Sequence, residues 1–153
     1  MNPYVKLGAG DIALPDDADR DLVRGILIKS TQIIVAPLVA NKHKPADYKK
    51  ALKTSAALNF DGHRWRAPEI EEVLLLPDRR RFAPALDPEY FWWLIEAMEK
   101  SGCSWIWTAT ADASDPEVYA WYLRLGNGGS SLNNQNNEGL PLAVRGPVSV
   151  PGQ

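Results

Sequence analysis

Two short apolar runs near the start of the chain predict a β-hairpin. Residues 25–28 and 32–35 are rich in isoleucine, leucine and valine, and the polar residues 29–31 separate them. Runs of this length joined by three residues are typical of paired antiparallel strands. Pro37 ends the second strand, because proline cannot donate a ladder hydrogen bond. The preceding residues 1–21 are acidic and rich in turn formers, and we predict an irregular arm there.

Three later segments have the apolar spacing of helices. Between residues 45 and 59, apolar side chains recur every three or four positions, with lysines on the other face. Residues 68–76 open with a proline and several glutamates, which suit the positive end of a helix dipole. We predict Pro45 and Pro68 at the first helical positions, where proline is favoured. Asp-Pro-Glu opens the longest apolar helix, which we predict over residues 87–101.

Trp93 does not fit the apolar stripe of this third helix. At about 100° per residue, Phe91, Leu94, Ile95 and Met98 cluster on one face, and Trp93 points about 160° from its centre. Most tryptophans belong to a core. The position nevertheless makes Trp93 a candidate aromatic anchor for a binding partner.

The last third of the chain alternates apolar and polar residues, as half-buried strands do. Residues 104–110 and 118–125 predict two such strands. The glycines of residues 126–129 accept the positive φ angles of a turn. Residues 130–138 are rich in serine and asparagine, which predicts an exposed loop that makes hydrogen bonds. Residues 140–144 predict a closing strand that is interrupted by a proline.

The composition is that of an ordinary soluble protein. With 153 residues, 45% of them apolar, and a net charge of -2, the chain fits a single domain over residues 1–153 with a tail at 147–153. A net charge of this size and sign provides no overall electrostatic attraction for nucleic acid. No apolar run is long enough to span a membrane. Cys103 is the only cysteine, so the chain has no intrachain disulfide and no thiolate zinc site. Residues 1–21 lack a secretory signal pattern, and we expect a cytoplasmic protein as synthesised.

Few residues have the pattern of a catalytic site. The two histidines, His43 and His63, form no ligand pair at helical spacing. Glu69, Glu71 and Glu72 lie in one predicted helix turn, where the dipole accounts for them, whereas a glycosidase needs carboxyls that face each other across a cleft. A hydrolase built on His63 or Glu69 is therefore the least favoured alternative. We predict no enzyme activity, no cofactor and no metal site.

Five short motifs follow one another along the second and last thirds of the chain. They are Gly62-His63-Arg64-Trp65-Arg66-Ala67-Pro68-Glu69, Ala83-Pro84-Ala85-Leu86-Asp87, Trp107-Thr108-Ala109-Thr110, Ala120-Trp121-Tyr122-Leu123-Arg124-Leu125-Gly126-Asn127-Gly128 and Pro141-Leu142-Ala143-Val144-Arg145. In composition and order this set resembles the Lcl C-terminal-like domains of unknown function, which occur in bacterial surface proteins, phages and prophages. Each motif alone is weak, but their common order is fairly specific. The chain departs from the family pattern at Ala67 and Glu69, where leucine and threonine are usual.

The resemblance implies an α+β, C-type-lectin-like fold, with two or three helices on a small twisted antiparallel sheet. The helix at residues 87–101 is then an insertion. Related formylglycine-generating enzymes rely on paired cysteines, which this chain lacks. The calcium-binding triplets of lectins are also missing from the sequence. The resemblance therefore implies a non-catalytic scaffold, with residues 126–140 where related phage proteins place their variable binding residues.

We therefore predict a phage or prophage protein that binds a host protein or a surface glycan. Amides and serines around aromatic anchors are typical of adaptable binding surfaces. The candidate binding residues are Trp93, Tyr122, Arg124, Asn127, Ser130, Ser131, Asn133, Asn134, Gln135, Asn136, Asn137 and Glu138. An intracellular, anti-CRISPR-like inhibitor of a host defence complex is the alternative, given the small size and the acidic arm. Homo-oligomer formation and an interface role for Arg79, Arg80 and Arg81 stay open beside a solvated-loop interpretation.

Overall fold

The computed structural model describes residues 2–149 as an α+β fold. Within that range, three α-helices accompany two antiparallel sheets, with strand orders β1-β2-β3-β7 and β4-β5-β6. The elements are β1 (Tyr4–Leu7), β2 (Gly25–Ile28), β3 (Ile33–Val35), α1 (Tyr48–Ala56), α2 (Ile70–Val73), α3 (Pro88–Ser101), β4 (Trp105–Ala111), β5 (Tyr119–Arg124), β6 (Ser130–Asn134) and β7 (Val144–Arg145). The predicted α+β class, with helices on small antiparallel sheets, is confirmed.

The first sheet is buried on both faces. The predicted hairpin is confirmed as β2 and β3, and every residue of these two strands is buried. On one face, Ile26 and Ile28 belong to the main core, which also contains residues of helices α2 and α3. The other face packs Leu27 and Ile34 against Trp65 of the first family-like motif. Such continuous apolar runs are what a strand covered on both sides requires.

The predicted irregular arm is wrong at residues 4–7. These residues form β1, the edge strand that pairs with β2. The strand is hard to predict from the sequence, because its third residue, Lys6, is charged. Lys6 is nevertheless buried, since its ammonium group donates to Glu89 Oε1 at 2.6 Å and lies 5.6 Å from the ring centre of Tyr90. The Asp16 backbone carbonyl also accepts from this ammonium group. A buried charge needs such compensation, and here α3 and the loop at Asp16 supply it together.

Local capping decides where the first two helices start. Helix α1 begins at Tyr48, because the Asp47 carboxylate accepts the backbone N–H of Lys50 at 2.9 Å. Helix α2 begins at Ile70, with Glu69 as its N-cap residue. The predicted first helical positions of Pro45 and Pro68 are therefore wrong, since both prolines precede the caps. In contrast, the predicted bounds of α3 are confirmed, with an Asp87 cap and Gly102 at φ 72° after its last turn.

Trp93 lies in the core and not on the surface. The buried stripe of α3 runs through Tyr90, Trp93, Leu94 and Ala97, so the helix is rotated relative to the predicted apolar face. Phe91 is also buried, and its backbone departs from helical geometry (φ -121°, ψ 29°). The Trp93 indole N–H donates to the Tyr90 carbonyl at 3.0 Å. The prediction that Trp93 is an exposed anchor is wrong, because only 4% of it is exposed.

The second sheet replaces part of the predicted loop. The strands predicted at 104–110 and 118–125 are confirmed as β4 and β5, but residues 130–134 form a third strand, β6. Serine and asparagine are poor strand formers, and pairing with β5 overrides this preference. The closing strand predicted at residues 140–144 is only partly confirmed, since β7 comprises Val144 and Arg145. Residues 147–149 have no regular structure, and the rest of the predicted tail lies outside the described residues.

The Trp65-Arg66 motif joins the two sheets. The backbone of Arg66 exchanges two hydrogen bonds with Val144 of β7, at 2.8 and 2.9 Å. Its guanidinium group donates to both carboxylate oxygens of Glu72 in α2, each at 2.7 Å. Helix α2 packs on β4 and β5 of the second sheet. Trp65 itself is buried against the first sheet, so this motif positions one sheet relative to the other.

Candidate binding groove

One face of the second sheet brings together several predicted binding residues. Directly paired residues of antiparallel strands project to the same face. Trp105 pairs with Arg124, and Trp107 pairs with Tyr122, which in turn pairs with Ser131. Asn133 pairs with Ala120, which lies two residues from Tyr122 in β5. The face therefore combines aromatic rings from β4 and β5 with polar side chains from β5 and β6.

Helix α1 covers only one end of this face. The Tyr48 ring packs edge-on against Trp107, with ring centres 5.5 Å apart, and its hydroxyl donates to the Ala109 carbonyl at 3.0 Å. The Trp107 indole N–H donates to the Ala46 carbonyl at 3.1 Å. These contacts bury Trp107 completely, whereas Trp105 keeps part of its surface exposed. The other end of the face is therefore open to a ligand.

The open end forms a groove of about 330 Å³, which we call the aromatic groove. Trp105 packs edge-on against Trp107 and Tyr122, with ring centres 4.8 and 5.0 Å apart. Such contacts hold large aromatic rings in one orientation. The residues that line the aromatic groove are Phe82, Ser104, Trp105, Tyr122, Arg124, Gly126, Asn127 and Asn133.

Arg124 is the charged residue of the aromatic groove. Its Nε donates to the Tyr122 hydroxyl at 2.9 Å, and its guanidinium carbon lies 5.6 Å from the Tyr122 ring centre. Its two terminal amino groups have no acceptor among residues 2–149. A guanidinium group presents these donors as a planar fork that matches carboxylate and other paired oxygen acceptors. The Tyr122 contacts hold this fork in place before any ligand arrives.

The asparagines of the aromatic groove add further donors. The Asn133 side-chain oxygen accepts from the Asn134 backbone at 2.9 Å and from the Asn137 amide at 2.7 Å. The Asn127 side-chain oxygen accepts from the Gly129 backbone at 2.8 Å. Both oxygens are used within the protein, and the two amide NH2 groups make no hydrogen bond within the described range. The aromatic groove is consequently rich in hydrogen-bond donors, which are complementary to acceptor oxygens.

The remaining predicted residues lie outside the aromatic groove. Asn134, Gln135 and Asn136 line a smaller depression of about 220 Å³ beside the start of α1. Gln135 is buried, and its amide donates to the carbonyls of Pro116 and Tyr119, so it holds a loop and is unavailable to a partner. The other predicted residues lie in β6 or in the turn that follows β6. All of them are exposed except Ser131, which is half-buried and shares the face of Tyr122. They are Ser130, Ser131, Asn137 and Glu138.

Four residues of the aromatic groove are missing from the candidate binding residues, and one of them, Gly126, lies at the start of the predicted binding segment 126–140. Phe82 is 81% exposed and follows the arginine run. An exposed large aromatic ring beside polar residues is a typical sign of a contact surface, but its exposure cannot be read from the sequence. Ser104 and Trp105 fall in a predicted strand, and only the strand register places them beside Arg124.

The arginine run beside Phe82 has a structural role. Arg79 donates to the carbonyls of Leu74 and Gly128, at 2.8 and 2.9 Å. Arg80 and Arg81 both pair with the Asp78 carboxylate, at 3.0 and 3.2 Å. These pairs lower the pKa of Asp78 to about 2, with the Arg80 hydrogen bond as the largest cause. The run therefore fixes the loop that carries Phe82.

The residues considered for catalysis make structural contacts. His63 Nε2 lies 3.6 Å from Asp61 Oδ2, in the turn that follows α1. Glu69 accepts the Thr110 hydroxyl, which itself accepts the Ile70 backbone N–H at 2.9 Å. Burial raises the pKa of the Cys103 thiol, which disfavours a thiolate. Among residues 2–149, no group of three or more acidic, histidine or cysteine side chains is arranged to hold a metal ion.

The family follows from a comparison with known domain families. The family model of the Lcl C-terminal domain matches residues 24–145, from just before β2 to the end of β7. The chain belongs to this family. Membership indicates a binding or recognition-type domain. No curated protein sequence matches this Lcl domain. None of its helices within the described range is long and apolar enough to cross a membrane.

Proposed function

We propose that this Lcl domain is a non-catalytic recognition module that binds its partner through the aromatic groove. The observation that carries the proposal is Arg124, whose fork is braced on Tyr122 and has no acceptor among residues 2–149. Because Tyr122 already holds the Arg124 side chain, little conformational entropy is lost when its free terminal donors bind a ligand. Arginine and large aromatic rings are also the residues that dominate binding energies at interfaces.

The donors of the aromatic groove define the chemistry of its ligand. Arg124, Asn127 and Asn133 present N–H groups around the rings of Trp105 and Tyr122. A suitable ligand places an apolar or ring surface on the aromatic floor and directs acceptor oxygens at the donors. A protein loop or a surface glycan of a host meets both requirements. We propose that the domain belongs to a phage or prophage protein with such a host partner.

The division of the second sheet supports a display scaffold of the C-type-lectin-like type. Its covered end carries Trp107 and Tyr48, which make the contacts of a core. Its open end carries polar residues on a strand, β6, that lies at the sheet edge. Binding residues on a strand are held more precisely than binding residues on a loop. This arrangement allows side chains to vary while the scaffold is kept.

The proposal is tested with arrays of host surface proteins and glycans probed with the purified domain. Arg124→Ala removes the charged donor of the aromatic groove and should lower the affinity for any captured partner at least about 10-fold, since hot-spot arginines contribute about 2 kcal/mol or more. Asn136→Ala is the matched control, because Asn136 is exposed and lies outside the aromatic groove.

The two variants separate the groove from the rest of the amide-rich segment. If Asn136→Ala weakened the captured partner and Arg124→Ala did not, recognition would belong to the smaller depression beside α1. Thermal unfolding of both variants checks that the fold is kept. A hydrolytic activity that survives purification and is abolished by Glu69→Gln would contradict the non-catalytic part of the proposal.

A further inference from the structure

Opposite charges are segregated into two segments of the chain. Residues 11–21 contain five aspartates and one arginine, a net charge of -4. Residues 42–53 contain five lysines and one aspartate, a net charge of +4. The whole chain has a net charge of only -2. Such separation produces strong local fields of opposite sign on one molecule.

The basic segment borders an open cavity that is larger than the aromatic groove. This cavity, which we call the lysine groove, has a volume of about 770 Å³. Lys49, Lys50 and Lys53 of α1 form its rim, and these lysines make no ion pair within the described range. Its apolar lining comes from alanines and a leucine. These residues are Ala40, Ala57 and Leu58.

The acidic segment has the complementary composition. Asp16, Asp17 and Asp21 are exposed and make no ion pair within residues 2–149. Exposed apolar side chains stand on either side of them, since Ile12 is 67% exposed and Leu22 is 57% exposed. The segment thus offers carboxylates together with apolar groups, as the lysine groove offers ammonium groups around an apolar lining.

We propose that the lysine groove binds the acidic segment of a second copy of this chain. Asp11 pairs with Arg145, whereas the other charged residues of the two segments make no ion pair within residues 2–149 and are available between molecules. Exposed ion pairs are individually weak, and the contact therefore depends on several pairs and on the apolar groups acting together. Because salt screens such pairs over about 10 Å at 0.1 M, self-association depends on ionic strength. This inference is independent of the aromatic groove.

Sedimentation velocity on charge-reversed variants tests the proposal. Lys50→Glu with Lys53→Glu reverses the lysine groove, and Asp17→Lys with Asp21→Lys reverses the acidic segment. The unmodified chain should self-associate at low salt and become monomeric near 0.5 M salt, roughly the concentration where screening reaches a few ångströms. Each variant alone should associate at least about 10-fold more weakly, because like charges then face each other. An equimolar mixture of the two variants should restore association.

Matched controls keep the result interpretable. Lys29→Glu with Arg64→Glu changes the net charge by the same amount outside the lysine groove and should leave association unchanged. If the reversed variants lose their melting transition, Lys50→Gln with Lys53→Gln provides the same test with a smaller loss. An unmodified chain that stays monomeric at low salt overturns the proposal. So does a mixture of the reversed variants that stays monomeric while each variant is folded.

Discussion

The two sheets of this domain have opposite relations to solvent. In the first sheet, β2 and β3 are buried at every position, with apolar side chains packed on both faces. In the second sheet, the edge strand β6 has no fully buried residue, and the face it shares with β5 stays open at one end. Strands β2 and β3 therefore lie wholly within the core, whereas the second sheet buries residues of β4 and β5 and keeps one end of a face exposed. Substitutions in each sheet can test this division.

The largest expected effect is a loss of stability in the first sheet. Ile34 of β3 is fully buried against Trp65. Ile34→Ala therefore leaves a cavity and should lower the free energy of unfolding by about 2–5 kcal/mol. Leu132→Ala is the matched change in β6, and because Leu132 is 38% exposed it should cost less than about 1 kcal/mol. Urea unfolding measures both. Equal losses would mean that the second sheet is as much part of the core as the first.

A smaller effect is expected where the second sheet borders the aromatic groove. A Cβ atom at Gly139 would lie 2.4 Å from the Trp105 ring, so Gly139→Ala must displace that ring and should cost about 1–3 kcal/mol. A Cβ atom at Gly126 meets no atom within 4 Å, and Gly126→Ala should be nearly neutral. Unfolding curves and the near-UV dichroism of the tryptophans measure the two effects. Unchanged dichroism in Gly139→Ala would show that Trp105 is not held as described.

The smallest effect concerns the connection between the sheets. The Arg66 hydrogen bonds hold the pKa of Glu72 below its ordinary value. Folding therefore favours ionised Glu72, and this stabilisation is complete above the unfolded pKa of about 4.3 and is lost as pH falls through the lower folded pKa. Glu72→Gln should cost about 1 kcal/mol at neutral pH, since the Arg66 side chain is 41% exposed.

The pH dependence identifies the cause of that loss. The difference between Glu72→Gln and the unmodified chain should shrink as the pH is lowered towards 3, because protonation removes the same interaction. Glu71→Gln, an exposed neighbour in the same helix, should leave the stability unchanged at every pH. A loss in Glu72→Gln that does not vary between pH 7 and pH 3 would exclude the ion pair as its source.

The success of each sequence prediction depends on how local its signal is. The β2–β3 hairpin, the bounds of α3 and the two strands β4 and β5 follow from runs, caps and alternation within a few residues. The strand β1 was missed, because the buried Lys6 depends on distant partners, the Glu89 carboxylate and the Asp16 carbonyl. The strand β6 was missed, because serines and asparagines acquire strand structure from pairing with β5. Both errors concern segments whose structure is imposed by a distant partner.

The candidate site divides in the same way. Its residue types were predictable, since Tyr122 and Arg124 lie in a predicted strand, and Asn127 and Asn133 lie in the turn and the amide-rich segment that follow it. Their selection from the longer predicted set was not, because strand register decides which side chains share the open face. The same register brings Trp105 beside Arg124. The rotation of α3 places Trp93 in the core, because the face of the helix that packs on the main core is decided by its tertiary neighbours.

The sequence alone determined the α+β class, the family and the absence of paired cysteines, because these depend on composition and on motifs in a common order. Only the tertiary structure decided which polar residues form a site. The aromatic groove exists because α1 covers one end of a sheet face and leaves the other open. The lysine groove exists because the other side of the same helix is left uncovered. Burial depends on how the elements pack against one another, and it therefore cannot be predicted from a short segment of sequence.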